Sequence, residues 1–225
     1  MSEVFSYSRK ITFEEAERAI YLDFESHEQG PPFLAGRLIG PDDFRLTVLD
    51  PTLYSAAGSS NVLKADTNEL GRYMEGILDR CRKENRRLVA FSEREIEVVA
   101  EFTPYLLDQM TACYGNALRP VKKWFRNEHP DVYSDLKAQA QVQKKRVGLK
   151  DYVEADVVPC EYPRQLKGKF SPSSAARIVR DQLLKRDGDY SKIAGWRKRR
   201  WTNLLKYNKA DCETLRCLTL FVLVS

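Results

Sequence analysis

The stretch RAIYLDFESHEQGPPFLAGRLIGPDDFRLTVLD, Arg18 to Asp50, decides the fold. Its first part, RAIYLDFE, is mostly apolar and ring-rich, and Gly30, Pro31 and Pro32 then break the chain before FLAGRLIG at Phe33 to Gly40. Runs of this composition bounded by Gly and Pro read as strands. Pro41 and Asp42 mark a second turn, after which Phe44, Leu46 and Val48 alternate in FRLTVLD. A meander of three antiparallel strands is the expectation.

Beyond the meander, residues 52–66 hold Ser, Ala and Gly without periodicity and read as loop. TNELGRYMEGILDRCRKEN follows as a helix, with Thr67 as N-cap and Leu70, Met74, Ile77, Leu78 and Cys81 at helical spacing. RLVAF, Arg87 to Phe91, is a short apolar strand, and SEREIEVVAEF offers Ser92 as N-cap with Glu95 placed to cap it in return. The order βββαβα resembles the opening of the ribonuclease-H-like fold. That resemblance implies an α/β architecture with a mixed central sheet, three antiparallel strands and then parallel ones, flanked by helices.

Further on, Asn116 to Gln143 reads as helix, with Trp124, Phe125, Val132, Tyr133 and Leu136 as core candidates. GLKDYVEADVV reads as a turn and short helix, and Pro159, Pro163 and Pro172 break the chain into a loop. Helices are expected from about Ser173 to Arg186 and from about Ser191 to Val222, the second interrupted near Gly195. One domain over residues 1–225 is expected, with a mainly helical insertion at about 115–172.

At 225 residues and 43% hydrophobic content the chain can bury a full core. Its net charge of +5 suits a polyanionic partner without demanding one. Cys81, Cys113, Cys160, Cys212 and Cys217 form an odd set with no C-x-x-C pair and no nearby histidines, so neither a disulfide framework nor a zinc site is expected. A reducing cytosol is the matching compartment. MSEVFSYSRK at the start has no apolar signal core, and Leu218 to Val224 is too short to cross a bilayer. A soluble, cytoplasmic protein is expected.

Two segments far apart carry chemistry. In DFE, Asp23 and Glu25 alternate with Phe24, so a strand puts both carboxylates on one face. Side by side they repel, and a hard divalent cation resolves that conflict. The plainer alternative is a D-x-E that ends a strand at the solvent. In YNKADCETL, Tyr207 lies four residues before Asp211 and shares its helical face, amid Leu204, Leu205, Leu215 and Leu218. An acid in that apolar pattern needs a partner; a surface aspartate and a packed tyrosine are the alternative. His27 would join the Glu25 face if the strand ran on, or else contribute turn polarity.

With DFE and YNKAD in hand, the chain resembles the DEDD superfamily of 3′-to-5′ exonucleases, whose first motif is D-x-E and whose last, in the tyrosine subclass, is Y-x-x-x-D. The histidine subclass needs His five residues before the aspartate, where this chain has Lys206. RLVAFSEREIEVV, GLKDYVE and LLKYNKADCETLRCL further resemble a branch of predicted ribonuclease-H-like nucleases found attached to helicase or other nuclease modules. The resemblance implies a third acid just after the strand, Glu95, with Glu93 as the competitor. The chain departs from the N-x-x-x-F-D form most DEDD enzymes carry there.

What the resemblance implies is a nuclease in which Asp23, Glu25, Glu95 and Asp211 hold two Mg²⁺ or Mn²⁺ ions about 3.5–4 Å apart, while Tyr207 orients water. Its substrate would be a single-stranded DNA or RNA end. WRKRRW, with Trp196, Arg197, Lys198, Arg199, Arg200 and Trp201, either clamps phosphates and stacks a base or buries its tryptophans behind a solvated basic face. A catalytically silent nucleic-acid-binding or scaffold module and a structure-specific endonuclease are the rival functions.

Overall fold

The computed structural model describes residues 10–27, 30–58, 63–163, 166 and 170–225. After the short helix α1 (Phe13–Glu17), the meander forms as β1 (Ile20–Ser26), β2 (Pro32–Ile39) and β3 (Asp43–Val48), antiparallel throughout. Parallel strands β5 (Leu88–Ala90) and β6 (Tyr114–Asn116) extend the sheet on the β1 side, and β4 (Ala65–Thr67) adds to β3 on the other edge. The order β4-β3-β2-β1-β5-β6 gives a six-stranded mixed sheet. With helices on its faces, this is an α/β fold in the ribonuclease-H-like arrangement.

The alternation of β1 sorts the two layers. Ile20, Leu22 and Phe24 face a core closed by Met74, Ile77 and Leu78 of α3 (Leu70–Glu84), Ile96 and Val99 of α4 (Arg94–Phe102), and Met110 of α5 (Leu107–Cys113). Tyr21 points the other way, onto Cys212 and Leu215 of the last helix. A side-chain period of two is what lets one strand serve two cores.

The expected loop at 52–66 is partly structured. A 3₁₀ turn at Pro51–Leu53 runs into helix α2 (Tyr54–Ala57), and β4 follows. Thr67 does not cap α3, because it pairs with Val48 in the parallel ladder; Glu69 takes the N-cap position. The expected helix over Asn116 to Gln143 is likewise divided. Asn116 ends β6, and the segment continues as α6 (Leu118–Glu128) and α7 (Pro130–Val142), broken at His129 by the proline that follows it.

Past these come α8 (Leu149–Val153), α9 (Pro172–Leu184) with Ser171 as its N-cap, and α10 (Gly195–Val224). Gly195 opens α10 and does not interrupt it. At 30 residues, α10 spans about 45 Å at 1.5 Å per residue and crosses the Tyr21 face of the sheet. No helix of the described residues is long and apolar enough to cross a membrane.

Cysteine usage departs from expectation, for Cys160 and Cys217 form a disulfide. The two are 57 residues apart in sequence, and the fold brings the loop after α8 against the last turns of α10. Cys81, Cys113 and Cys212 are free. The stretch 1–9, which holds most of the segment without a signal core, lies outside the described residues.

Candidate metal centre

The site is built where β1 meets α10. Asp23 and Glu25 point from β1 toward the helix, Asp211 points back from it, and one carboxylate oxygen of each lies within 4.8 Å of the others. Glu25 and Asp211 are buried and Asp23 is half-buried. Glu25 Oε1 is shut off from solvent without a hydrogen-bond partner, and Asp211 Oδ1, equally buried, has only the Lys150 ammonium 3.5 Å away. Buried polar atoms are ordinarily paired, so an unpartnered Glu25 oxygen among three converging carboxylates fits a hard cation.

A close backbone approach makes this geometry possible. Asp23 stands opposite Gly36 of β2, and a Cβ on Gly36 would come within 1.8 Å of Asn208 Oδ1 and 3.2 Å of Cys212 Sγ. Only glycine lets α10 settle onto the strands at this point. Asn208, fully buried one turn before Asp211, then donates from Nδ2 to Asp23 Oδ2 at 2.6 Å and to the Asp23 carbonyl at 3.3 Å. A charged acceptor makes the first bond the stronger.

Lys150 of α8 closes the cluster. Its Nζ lies 3.5 Å from Asp211 Oδ1 and 3.4 Å above the centre of the Tyr207 ring. It is also 5.0 Å from the Tyr162 ring centre. Tyr207 is held besides by Phe170, at 5.2 Å between ring centroids. Asn208 and Lys150 both escaped the motif-based reading, although each sits inside a quoted segment, YNKAD and GLKDYVE. The available signal was an amide on the same α10 face as Asp211, three residues before it.

Electrostatics follow from this packing. Burial pushes the Asp23 carboxyl well up, and the charges of Glu25, Asp211 and Glu95 push it further. Glu25 is raised by burial and by Asp211, and Lys150 and Asn208 partly offset this. Asp211 is raised by burial against the opposing pull of Lys150. Burial and then the three acids raise the Tyr207 hydroxyl, so it keeps its proton.

The remaining expected residues divide. Glu95 is not within the 4.8 Å cluster, yet its charge reaches Asp23 and Glu25. It is buried with Oε2 unpartnered, and burial raises it to about 7. It does not cap α4 in return for Ser92; the Ser92 hydroxyl accepts from the Arg94 amide at 3.2 Å. The competitor, Glu93, pairs with Arg119 at 3.5 Å. His27 meets Arg180 at 3.0 Å and the Phe33 ring, away from the acids, because a bulge after Glu25 ends the regular alternation.

In WRKRRW the two indoles part company. Trp201 is fully buried and donates from Nε1 to the Ala56 carbonyl at 3.0 Å, so it packs the core and cannot stack a base. Trp196 is 49% exposed, with the guanidinium carbons of Arg197 and Arg200 4.5 and 5.8 Å from its ring centre. Arg199 and Arg200 face solvent, while Lys198 donates to the Ser191 carbonyl. The exposed cations and Trp196 are what remains of the expected clamp.

No family model, curated protein or solved structure matches the chain. What the chain offers rests on its own residues: three acids from two distant segments, an amide that holds one of them, and a cation beside another.

Proposed function

We propose that this chain is a metal-dependent nuclease that hydrolyses phosphodiester bonds of DNA or RNA as a 3′-to-5′ exonuclease of the tyrosine type of the DEDD superfamily. The observation that carries this reading is the convergence of Asp23, Glu25 and Asp211, with the buried Glu25 Oε1 left unpartnered, at the meeting of β1 and α10. Mg²⁺ or Mn²⁺ held there supplies an acidified water and stabilises the charge that builds on the leaving oxygen. The carboxylates would hold the ion, and Asn208 fixes the Asp23 carboxylate in position for it.

Tyr207, kept protonated, is a donor at neutral pH and not a base. In this reading its hydroxyl orients the attacking water or a phosphate oxygen. Trp196 and the exposed Arg199 and Arg200, one end of the same helix, would hold a single strand by stacking and charge. A helicase or second nuclease as working partner belongs to the same proposal, as does a cytoplasmic setting, in which Cys160 and Cys217 would be held reduced.

A silent nucleic-acid-binding module is the second reading, favoured by Glu95 standing apart from the other three acids. End-labelled single-stranded DNA and RNA, incubated with Mg²⁺, Mn²⁺ or EDTA and resolved on a sequencing gel, separate the two. Stepwise shortening from the 3′ end, lost in EDTA and in Asp23→Asn and Asp211→Asn, is expected. Internal cuts would point to an endonuclease, and binding without cleavage to the silent module.

A further inference from the structure

Lys150 brings a fixed positive charge into a site otherwise made of acids. Its Nζ lies 3.5 Å from Asp211 Oδ1 and 3.4 Å from the Tyr207 ring centre, so it is held between a carboxylate and a π face and does not wave in solvent. Its side chain is 27% exposed. The same charge reaches Asp23 and Glu25.

The charge balance is simple. With a cation bound the three carboxylates would ionise and carry −3, Lys150 returns +1, and the remaining −2 is what one divalent ion neutralises. A second ion would have to share these three carboxylates with the first unless another acid stood nearby. Glu95, the only candidate offered by the sequence besides Glu93, is outside the cluster, and Glu93 is turned to Arg119. The buried, unpartnered Glu25 oxygen inside the cluster is a polar atom built for a ligand and not for solvent.

We infer that the centre takes a single divalent cation and that the Lys150 ammonium supplies, beside Asp211, the positive charge a second ion would otherwise bring. This rests on the nuclease reading and narrows it, replacing the expected pair of ions with one ion and a lysine. The ammonium brings its three N–H donors to the site and needs no ligands of its own. In the reaction it would stand on the Asp211 side, where a phosphate oxygen carrying negative charge can be met by charge-assisted hydrogen bonds.

Mn²⁺ binding followed by electron paramagnetic resonance tests this without substrate or turnover. Wild type, Lys150→Arg, Lys150→Met and, to place the ion, Asp23→Asn would be titrated, with circular dichroism confirming that each is folded. Wild type and Lys150→Arg should bind one ion, and Asp23→Asn should lose it. Lys150→Met should bind its ion at least about tenfold more tightly, or take a second, because a like charge has left the site.

Two ions bound by wild type would overturn the inference and leave the nuclease reading standing. The same stoichiometry and affinity in wild type, Lys150→Arg and Lys150→Met would overturn it as well. No Mn²⁺ bound by any folded variant would overturn both the inference and the metal-dependent reading beneath it.

Discussion

Gly36 and Asn208 show how little room the site has. With a Cβ on Gly36 only 1.8 Å from Asn208 Oδ1, Gly36→Ala must push α10 off the strand or turn the amide away from Asp23. Overpacking of this kind costs about 1–3 kcal/mol, to be read as a lower urea midpoint with unchanged slope, together with weaker Mn²⁺ binding. Asn208→Ala, which leaves the space open, should weaken the ion with a smaller loss of stability. Both residues were hard to see beforehand. A glycine inside FLAGRLIG and an asparagine inside YNKAD have no local pattern of their own, and their meaning lies in a contact between segments about 170 positions apart.

Protonation belongs to the same scale. Glu95 is raised in the folded protein from an ordinary 4.5 to about 7, so the folded state binds this proton more tightly than the unfolded chain. Its contribution to stability is complete below about pH 4.5 and is lost as pH rises through about 7, up to about 3 kcal/mol in all. Asp23, Glu25 and Asp211 are raised too and act with the same sign. The metal-free protein should therefore melt at lower temperature at pH 8 than at pH 5, and Glu95→Gln should flatten that slope. Added Mn²⁺ should restore the midpoint at pH 8, where the carboxylates are free to ligate. A metal-free midpoint that rises over this range would contradict the burial of these acids.

At the scale of elements, strands long enough to show alternation were legible and short ones were not. β1, β2 and β3 fall where FLAGRLIG, FRLTVLD and the run before Gly30 place them, whereas β4 and β6 have three residues each, too few to display a period. α10 was legible from its leucines, but its face was not fully so: Trp201 reads equally well as clamp or core, and only its contact with Ala56 decides. Trp201→Ala should cost about 3–5 kcal/mol, while Trp196→Ala should leave the unfolding midpoint nearly unchanged and weaken single-strand binding. Cys160 and Cys217, 57 residues apart, left no sequence signal either. Thiol titration of the denatured, unreduced protein should find three free cysteines, and five after reduction. Cys217→Ser should destabilise the oxidised protein by roughly 2–4 kcal/mol.

Across the whole molecule, α10 ties the parts together. Trp201 anchors it beside α2, Asn208 and Asp211 complete the acidic cluster against β1, and Cys217 fastens its later turns to the loop after α8. The aspartate held by Asn208 lies 185 residues earlier in the chain. A polypeptide emerging from the ribosome folds from its N-terminal end, so the meander can form with Asp23 and Glu25 in place while their counterpart is still unmade. Until α10 is synthesised and docks, a nascent chain carries two of the three clustered acids without the third, so whatever the assembled cluster does is withheld until the chain is nearly finished.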